Sequence, residues 1–514
     1  MIKHILQGTA VFVGLGLGAT VAAPAIAQPA DTLRVGHYSK APTRGNTMAG
    51  ASGTPSMFWW DSVFDTFTRV DRSGIVQPFA IKSWTLTSPT TWRFTFRDDI
   101  IFSNGAKNNS ANVVAILDYL ASPDGQKSSL YRTFAKNYAG WKAIDEHTVE
   151  LTTKAPDPLV AGTFARFYLS EMKAFNEMGV EQYTAKPVTS GPWKVVTWTD
   201  SEANFTMHDQ GWRKPKIKNI RIVELPESVN RRLAIESGEM DLVTQMAPDD
   251  IATLQAAGQA VIDNAPYVQS LMIFTEDFSP NKKWGGKPPF ADKKIRQAVN
   301  YAIDRQTMAK ELMRGAVEPA SQPATPQTFG YNPNIKPYPY DLAMAKKLMS
   351  ESSYPNGFSM VAEFQSGAVA NDKEVNTAAF DALSAIGIKV ESRVLPFSSW
   401  VTKLTGATQW GGEATSFSQL VEPMMDASQP FNWYSCKAPF KFVCVEDHVP
   451  LIEAAASEMD PKKREAILQQ LMQKAHDDAI SISLFNGRDI FGLSKRVKNF
   501  KNWNRNIYYE EITF

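Results

Sequence analysis

Trp92-Arg-Phe-Thr-Phe-Arg-Asp-Asp-Ile-Ile-Phe-Ser-Asn-Gly105 is the stretch that decides the fold. Trp92, Phe94 and Phe96 alternate with Thr91, Arg93, Thr95 and Arg97, which predicts a strand with one aromatic and one polar face. Asp98-Asp99 turns the chain, Ile100 and Phe102 resume the alternation, and Ser103-Asn104-Gly105 turns it again. A helix follows, with Ser110 as its expected N-cap, because Val113, Leu117 and Leu120 recur at helical spacing.

Outward from there, strand and helix patterns alternate in both directions. Upstream, Thr32 to Tyr38 reads as a buried strand that ends in a polar, Gly-containing loop, Ser39 to Gly53. Downstream, Thr148 to Thr153 is a strand stopped by Ala155-Pro-Asp-Pro158, and Pro187 to Trp193 is a turn that launches Lys194 to Trp198. Ile220 to Leu225 is extended, Ser228 is expected to cap a helix carrying Leu233, and Gly238 ends it before Asp241-Leu-Val243. In the second half Asp292, Asp304 and Asp341 each precede a helical pattern, carrying Ile295 and Val299, Met308 and Leu312, and Leu342, Ala345 and Leu348. Gly315 to Tyr340 is a Pro-rich ordered loop. A long helix, Pro461 to His476, then precedes a last strand pattern from Ile480. No repeat or low-complexity tract interrupts this α/β order.

The first residues are of another kind. Met1-Ile-Lys-His4 is basic, Ile5 to Val21 is apolar and Gly-rich, and Ala25-Ile-Ala27 is a small-x-small site, which predicts a signal peptide over residues 1–27, cleaved near Ala27. A membrane anchor is the alternative, and the short apolar run broken by Gly14, Gly16 and Gly18 argues against it. Lipid attachment needs a Cys just after the cut, and the two cysteines are Cys436 and Cys444. The expected product is soluble and periplasmic.

A 514-residue chain is too long for one ordinary core and suits two or three domains. Its formal charge of +1 and the absence of a dense basic run exclude a nucleic-acid binder. With 13 Trp and 29 Phe, it has enough aromatic surface for large cores and for the walls of a cleft. Two cysteines in an exported chain predict a Cys436–Cys444 disulfide. A metal site is the alternative, with His448 near, but Cys-x7-Cys is not a zinc spacing. An exported hydrolase is the rival function. Gly-x-Ser-x-Gly and His-Glu-x-x-His are both absent, and the paired acids Asp98-Asp99, Asp249-Asp250 and Asp477-Asp478 read as solvated surface. No metal or cofactor is expected, and Gly14-Leu-Gly-Leu-Gly18, which imitates a nucleotide loop, lies in the leader.

Five elements in order carry a resemblance: Trp92 to Gly105, Pro187 to Trp193, Arg231 to Asp241, Pro289 to Asp304, and Tyr340-Asp341 with Ala345 to Leu348. Together they resemble the extracytoplasmic solute-binding proteins of family 5, the peptide, nickel and opine type that feeds ABC importers. The resemblance implies a two-lobed α/β periplasmic-binding-protein fold of class II type, with an extra domain inserted in lobe I. Lobe I is expected from residues 28–75, 190–280 and 484–514, the inserted domain from 76–189 and lobe II from 281–483, with chain crossings near Pro280 and Leu484. It further implies a monomer without catalysis that closes on a small solute and docks on a membrane permease. A periplasmic chaperone or sensor would share the fold.

The resemblance also points to a site. In peptide-binding members an Asp four residues before a Pro pairs with the peptide's amino group, and here the stretch reads Gln419-Leu-Val-Glu-Pro423. A neutral amide supplies no charge pairing for a buried ammonium, so free-amino peptides fit less well unless Glu413, Glu422 or Asp426 replaces the charge. Trp410, Glu413, Phe417 and Trp433 flank Gln419 and suit a sugar ring, an opine-like conjugate or an oligosaccharide, with a core role as the alternative for both tryptophans. On lobe I, Tyr38 and Trp60 are candidates because ligands bind where strands of open α/β sheets end. Adjacency of Trp59 and Trp60 leads us to expect one inward and one elsewhere.

Overall fold

The computed structural model describes residues 31–49, 55–279, 282–367, 369–406, 410–421, 424–438 and 441–514. The expected leader, Pro280, Glu422 and Pro423 lie outside them.

The aromatic strand forms as Thr91–Phe96, with Trp92, Phe94 and Phe96 buried and Arg93 exposed. It lies inside a four-stranded antiparallel sheet ordered 81–88, 91–96, 148–153 and 138–143. Helix Ser110–Ala121 presents Val113, Ile116, Leu117 and Leu120 to the same core. Its N-cap is Asn109, one residue earlier than expected. Asn109 is extended, and its side chain accepts from the Asn112 amide at 2.9 Å. The Ser110 hydroxyl instead donates to the Asp145 carbonyl.

A ten-stranded sheet spans the rest, in the order 388–396, 358–366, 414–420, 260–273, 482–493, 242–243, 32–37, 219–224, 202–207 and 193–198. Parallel pairing of 32–37 with 219–224 and 242–243 builds one end, and parallel pairing of 358–366 with 388–396 builds the other. The two ends have separate cores. Leu33, Val35, Trp59, Trp60, Trp193 and Ile222 fill the first. Ile295, Val299, Phe364, Phe380 and Ile388 fill one side of the second. This is the two-lobed arrangement, with the four-stranded sheet as an additional unit.

Two long antiparallel strands, Ala260–Ile273 and Ile482–Leu493, join the lobes. Ala260–Asn264 pairs with Arg488–Gly492, and Val268–Leu271 pairs with Ile482–Asn486. Between these blocks the ladder breaks, with Ala265, Pro266 and Tyr267 facing Gly487. Pro266 has no amide hydrogen to give. A Cβ on Gly487 would stand 2.6 Å from the Tyr267 ring, so only glycine lets that ring lie over the backbone.

The acidic caps form as read: Asp292, Asp304 and Asp341 accept from the amides of Lys294, Thr307 and Met344. Helix Ser228–Glu236 differs. Neither Ser228 nor the preceding Glu227 caps it, and Leu233 is 51% exposed while Ala234 and Ile235 face inward. Among the described residues no helix is long and apolar enough to cross a membrane.

Candidate functional site

The break in the crossing strands is flanked by compensated charge. Arg505 is buried and makes a bidentate pair with Asp489 of the second crossing strand, at 2.8 and 2.9 Å. The same guanidinium lies 4.6 Å from the ring centre of Tyr267 on the first strand. Arg505 therefore touches both strands at the break. It is presented by a short hairpin, Asn502–Trp503 with Asn506–Ile507, whose turn puts Asn504 and Arg505 at φ 50° and 68°. Asn502 of this hairpin also donates to Asp263, which Arg72 pairs from the other side.

Beyond the break, strand Ala414–Leu420 carries two of the lobe II candidates, Phe417 and Gln419. Phe417 stands 5.6 Å from Trp433 and 6.2 Å from Tyr434, ring centre to ring centre. Trp410 meets Phe274 edge-on at 5.5 Å. Phe442, from the loop closed by Cys436 and Cys444, stacks on both Phe274 and Trp433. Three expected residues, Trp410, Phe417 and Trp433, thus come together in one aromatic cluster, in which Trp410 and Phe417 are buried and Trp433 is half-buried. Gln419 follows on the same strand, fully buried, and donates through Nε2 to the Ser481 hydroxyl at 2.7 Å. Burial pushes the Tyr434 hydroxyl beside it up to about 12.

Glu413 is buried and occupied. It accepts from Trp284 Nε1 at 3.0 Å and from the Val361 amide at 2.8 Å, and it pairs with Lys283 at 2.5 Å. Asp426, the other described acid proposed to replace a missing charge, is gripped by Arg464 at 2.5 and 2.9 Å. Both carboxylates are already compensated within the protein.

The lobe I candidates fall in a separate cluster. Trp60 is fully buried, donates to the Arg44 carbonyl at 2.6 Å and meets Tyr168 edge-on at 5.1 Å. Trp59 is equally buried, donating to the Ser39 carbonyl and stacking on Trp198. The expected inward and outward split of this pair does not occur. The five-residue helix Ser56–Trp60 is buried along its whole length, so both rings are enclosed. Tyr38 is half-buried, edge-on to Phe58.

Among the described residues one group of His, Cys and acids is close enough to suggest a metal ion: Cys436, Cys444 and Glu446. Both sulfurs are joined in the disulfide, leaving no thiolate to coordinate. Asp478, read as solvated surface, instead pairs with Lys293 and with the buried His448, each at 2.8 Å. Sequence reasoning missed Arg505, Asp489 and Tyr267. Their neighbourhood depends on a long-range ladder, and no local spacing marks it.

Residues 76–441 match the model of the bacterial extracellular solute-binding proteins, family 5 Middle. The glutathione-binding protein GsiB of Salmonella typhi is 28% identical over 358 residues, which cover 67% of this chain and 66% of that protein. Among solved structures, the periplasmic binding protein DppA from Helicobacter pylori, in complex with peptide STSA, superposes with a TM-score of 0.77 at 20% identity, covering 94% of this chain and 98% of that one. The binding protein AgaA from A.tumefacien R10, in complex with agropinic acid, gives a TM-score of 0.79 at 20% identity with the same coverage.

Proposed function

The chain belongs to the bacterial extracellular solute-binding proteins of family 5, and on that premise we propose that it is the periplasmic solute-binding component of an ABC importer. It captures a small solute between its two lobes and delivers it, unchanged, to an inner-membrane permease. The observation that carries this reading is the pair of crossing strands whose ladder breaks at one level, Asn264 to Val268 against Asn486 to Arg488. A rotation there moves one lobe against the other without disturbing either core. We take the pivot to be this break, which moves the first crossing from near Pro280 back to about Asn264 to Val268, because Val268 to Ile273 already pairs with strand Ala414–Leu420 of lobe II, and keeps the second close to Leu484.

The solute is peptide-like, opine-like or oligosaccharide-like; relatives that bind glutathione, a peptide or agropinic acid support the first two classes, and the third rests on the aromatic and amide side chains around Gln419. Binding energy goes into shifting an open and closed equilibrium, so a solute touching only one lobe would not close it. A thermal-shift screen of the mature protein against these three classes tests the reading. A hit is expected to raise the melting temperature, and deletion of the gene is expected to abolish uptake of that solute. Turnover of a hit by the pure protein would contradict it.

A further inference from the structure

Strand register puts three amide side chains on one face of lobe II. Val268 is level with both Gln419 and Asn486 across the ladder. Ala362 pairs with Ala414, so Gln365 and Phe417, each three residues on, share a face, and Gln419 is two further along it. Gln365 and Gln419 are 2% and 0% exposed. The amide oxygens Gln365 Oε1, Gln419 Oε1 and Asn486 Oδ1 are buried and have no hydrogen-bond partner within the protein, and neither have the Tyr434 hydroxyl beside Gln419 and Trp410 Nε1 in the adjoining aromatic cluster. Buried polar atoms ordinarily find partners, so a group of them on one face marks a surface awaiting donors. The charges of the same face are committed: Glu413 to Lys283, and Glu363 to Lys403 and the Gly411 amide.

We infer that this face binds a neutral polyhydroxyl segment of the solute, as found in a sugar or in a sugar-derived amino-acid conjugate. The assignment rests on the proposed function and narrows it. Hydroxyls donate to the three carbonyl oxygens and accept from the indole N–H, while C–H faces of a polyol lie against aromatic rings. A free ammonium would also donate, but burying it here costs desolvation, and among the described residues no uncommitted carboxylate lies on this face to offset it. Opening of the lobes gives access, and closure buries the contacts.

The test is calorimetric titration of the full mature chain with a panel of neutral disaccharides, a hexitol–amino-acid conjugate and trialanine. Binding of a disaccharide or of the conjugate is expected, and which of the two binds identifies the source of the polyol. Gln365→Met and Gln419→Met should each weaken it by roughly tenfold or more. Gln269→Met is the control, because Gln269 is level with Ser418 on the opposite face and its amide nitrogen also lacks a partner. It should change affinity by less than about twofold. Should Gln419→Met fail to fold, Gln365→Met decides alone. Binding of trialanine with no polyol binding, or polyol binding unmoved by both face variants, overturns the inference and leaves the proposed function standing. Binding of nothing in any arm overturns both.

Discussion

Asp61 is a residue at which burial and charge are poorly reconciled. Its carboxylate is 1% exposed, and its Oδ1 accepts from the Tyr168 hydroxyl at 3.4 Å. Burial pushes it up to about 7. Arg69 and Arg213 pull it back, and Glu510 pushes it further. Tyr168 and Tyr509 face the same group as neutral phenols, raised well above their usual range by burial. An acid raised on folding stabilises the fold fully below its unfolded value of about 4 and loses that contribution as pH rises through about 7. Asp61→Asn should therefore gain on the natural protein between pH 5 and 8, by on the order of 4 kcal/mol at most. Urea midpoints measured at both pH values check this, and a difference independent of pH would contradict it. Such a residue is invisible in sequence, because Asp61 follows Trp60 like any helix-terminal acid. Trp59 and Trp60 misled for a related reason: adjacency implies opposite directions only when one side of the helix meets water.

At the level of elements, what could be read was what is local. Alternation gave Thr91–Phe96, and an acid before a helical pattern gave the caps at Asp292, Asp304 and Asp341. Ser110 failed as a cap because the extended residue at the helix start is Asn109, whose side chain reaches the free amide; at Ser228 the extended residue is Glu227, whose side chain makes no capping bond. The crossing strands were legible only in part. Residues 480–485 show a strand pattern, but the run through Gly487 to Leu493 does not alternate, because that strand is buried on both faces. Arg505, which bridges the two crossings, also lies outside any motif. Arg505→Met should leave Asp489 buried and uncompensated and cost roughly 3 to 5 kcal/mol. Adding Asp489→Leu should recover most of that loss. Denaturant melts of the single and double variants check it, and equal loss in both would show that the pair contributes through packing alone.

For the whole molecule, the two lobes and the inserted sheet followed from the order of five short elements, while the ladder break that we propose as their pivot did not. Pairing of Ala260–Ile273 with Ile482–Leu493 joins residues more than 200 positions apart, a separation no local pattern encodes. The aromatic residues around Gln419 were legible as a cluster. Their packing against Phe442 was not, since it depends on the disulfide loop folding back. Two lobes on two broken strands make a device that closes, and closure is a change of shape. Small-angle scattering of the mature protein, with and without a saturating solute from the screen, tests this most directly. Binding is expected to lower the radius of gyration, with the solute recovered chemically intact. Superimposable profiles at saturation, or a solute converted to product, would contradict it.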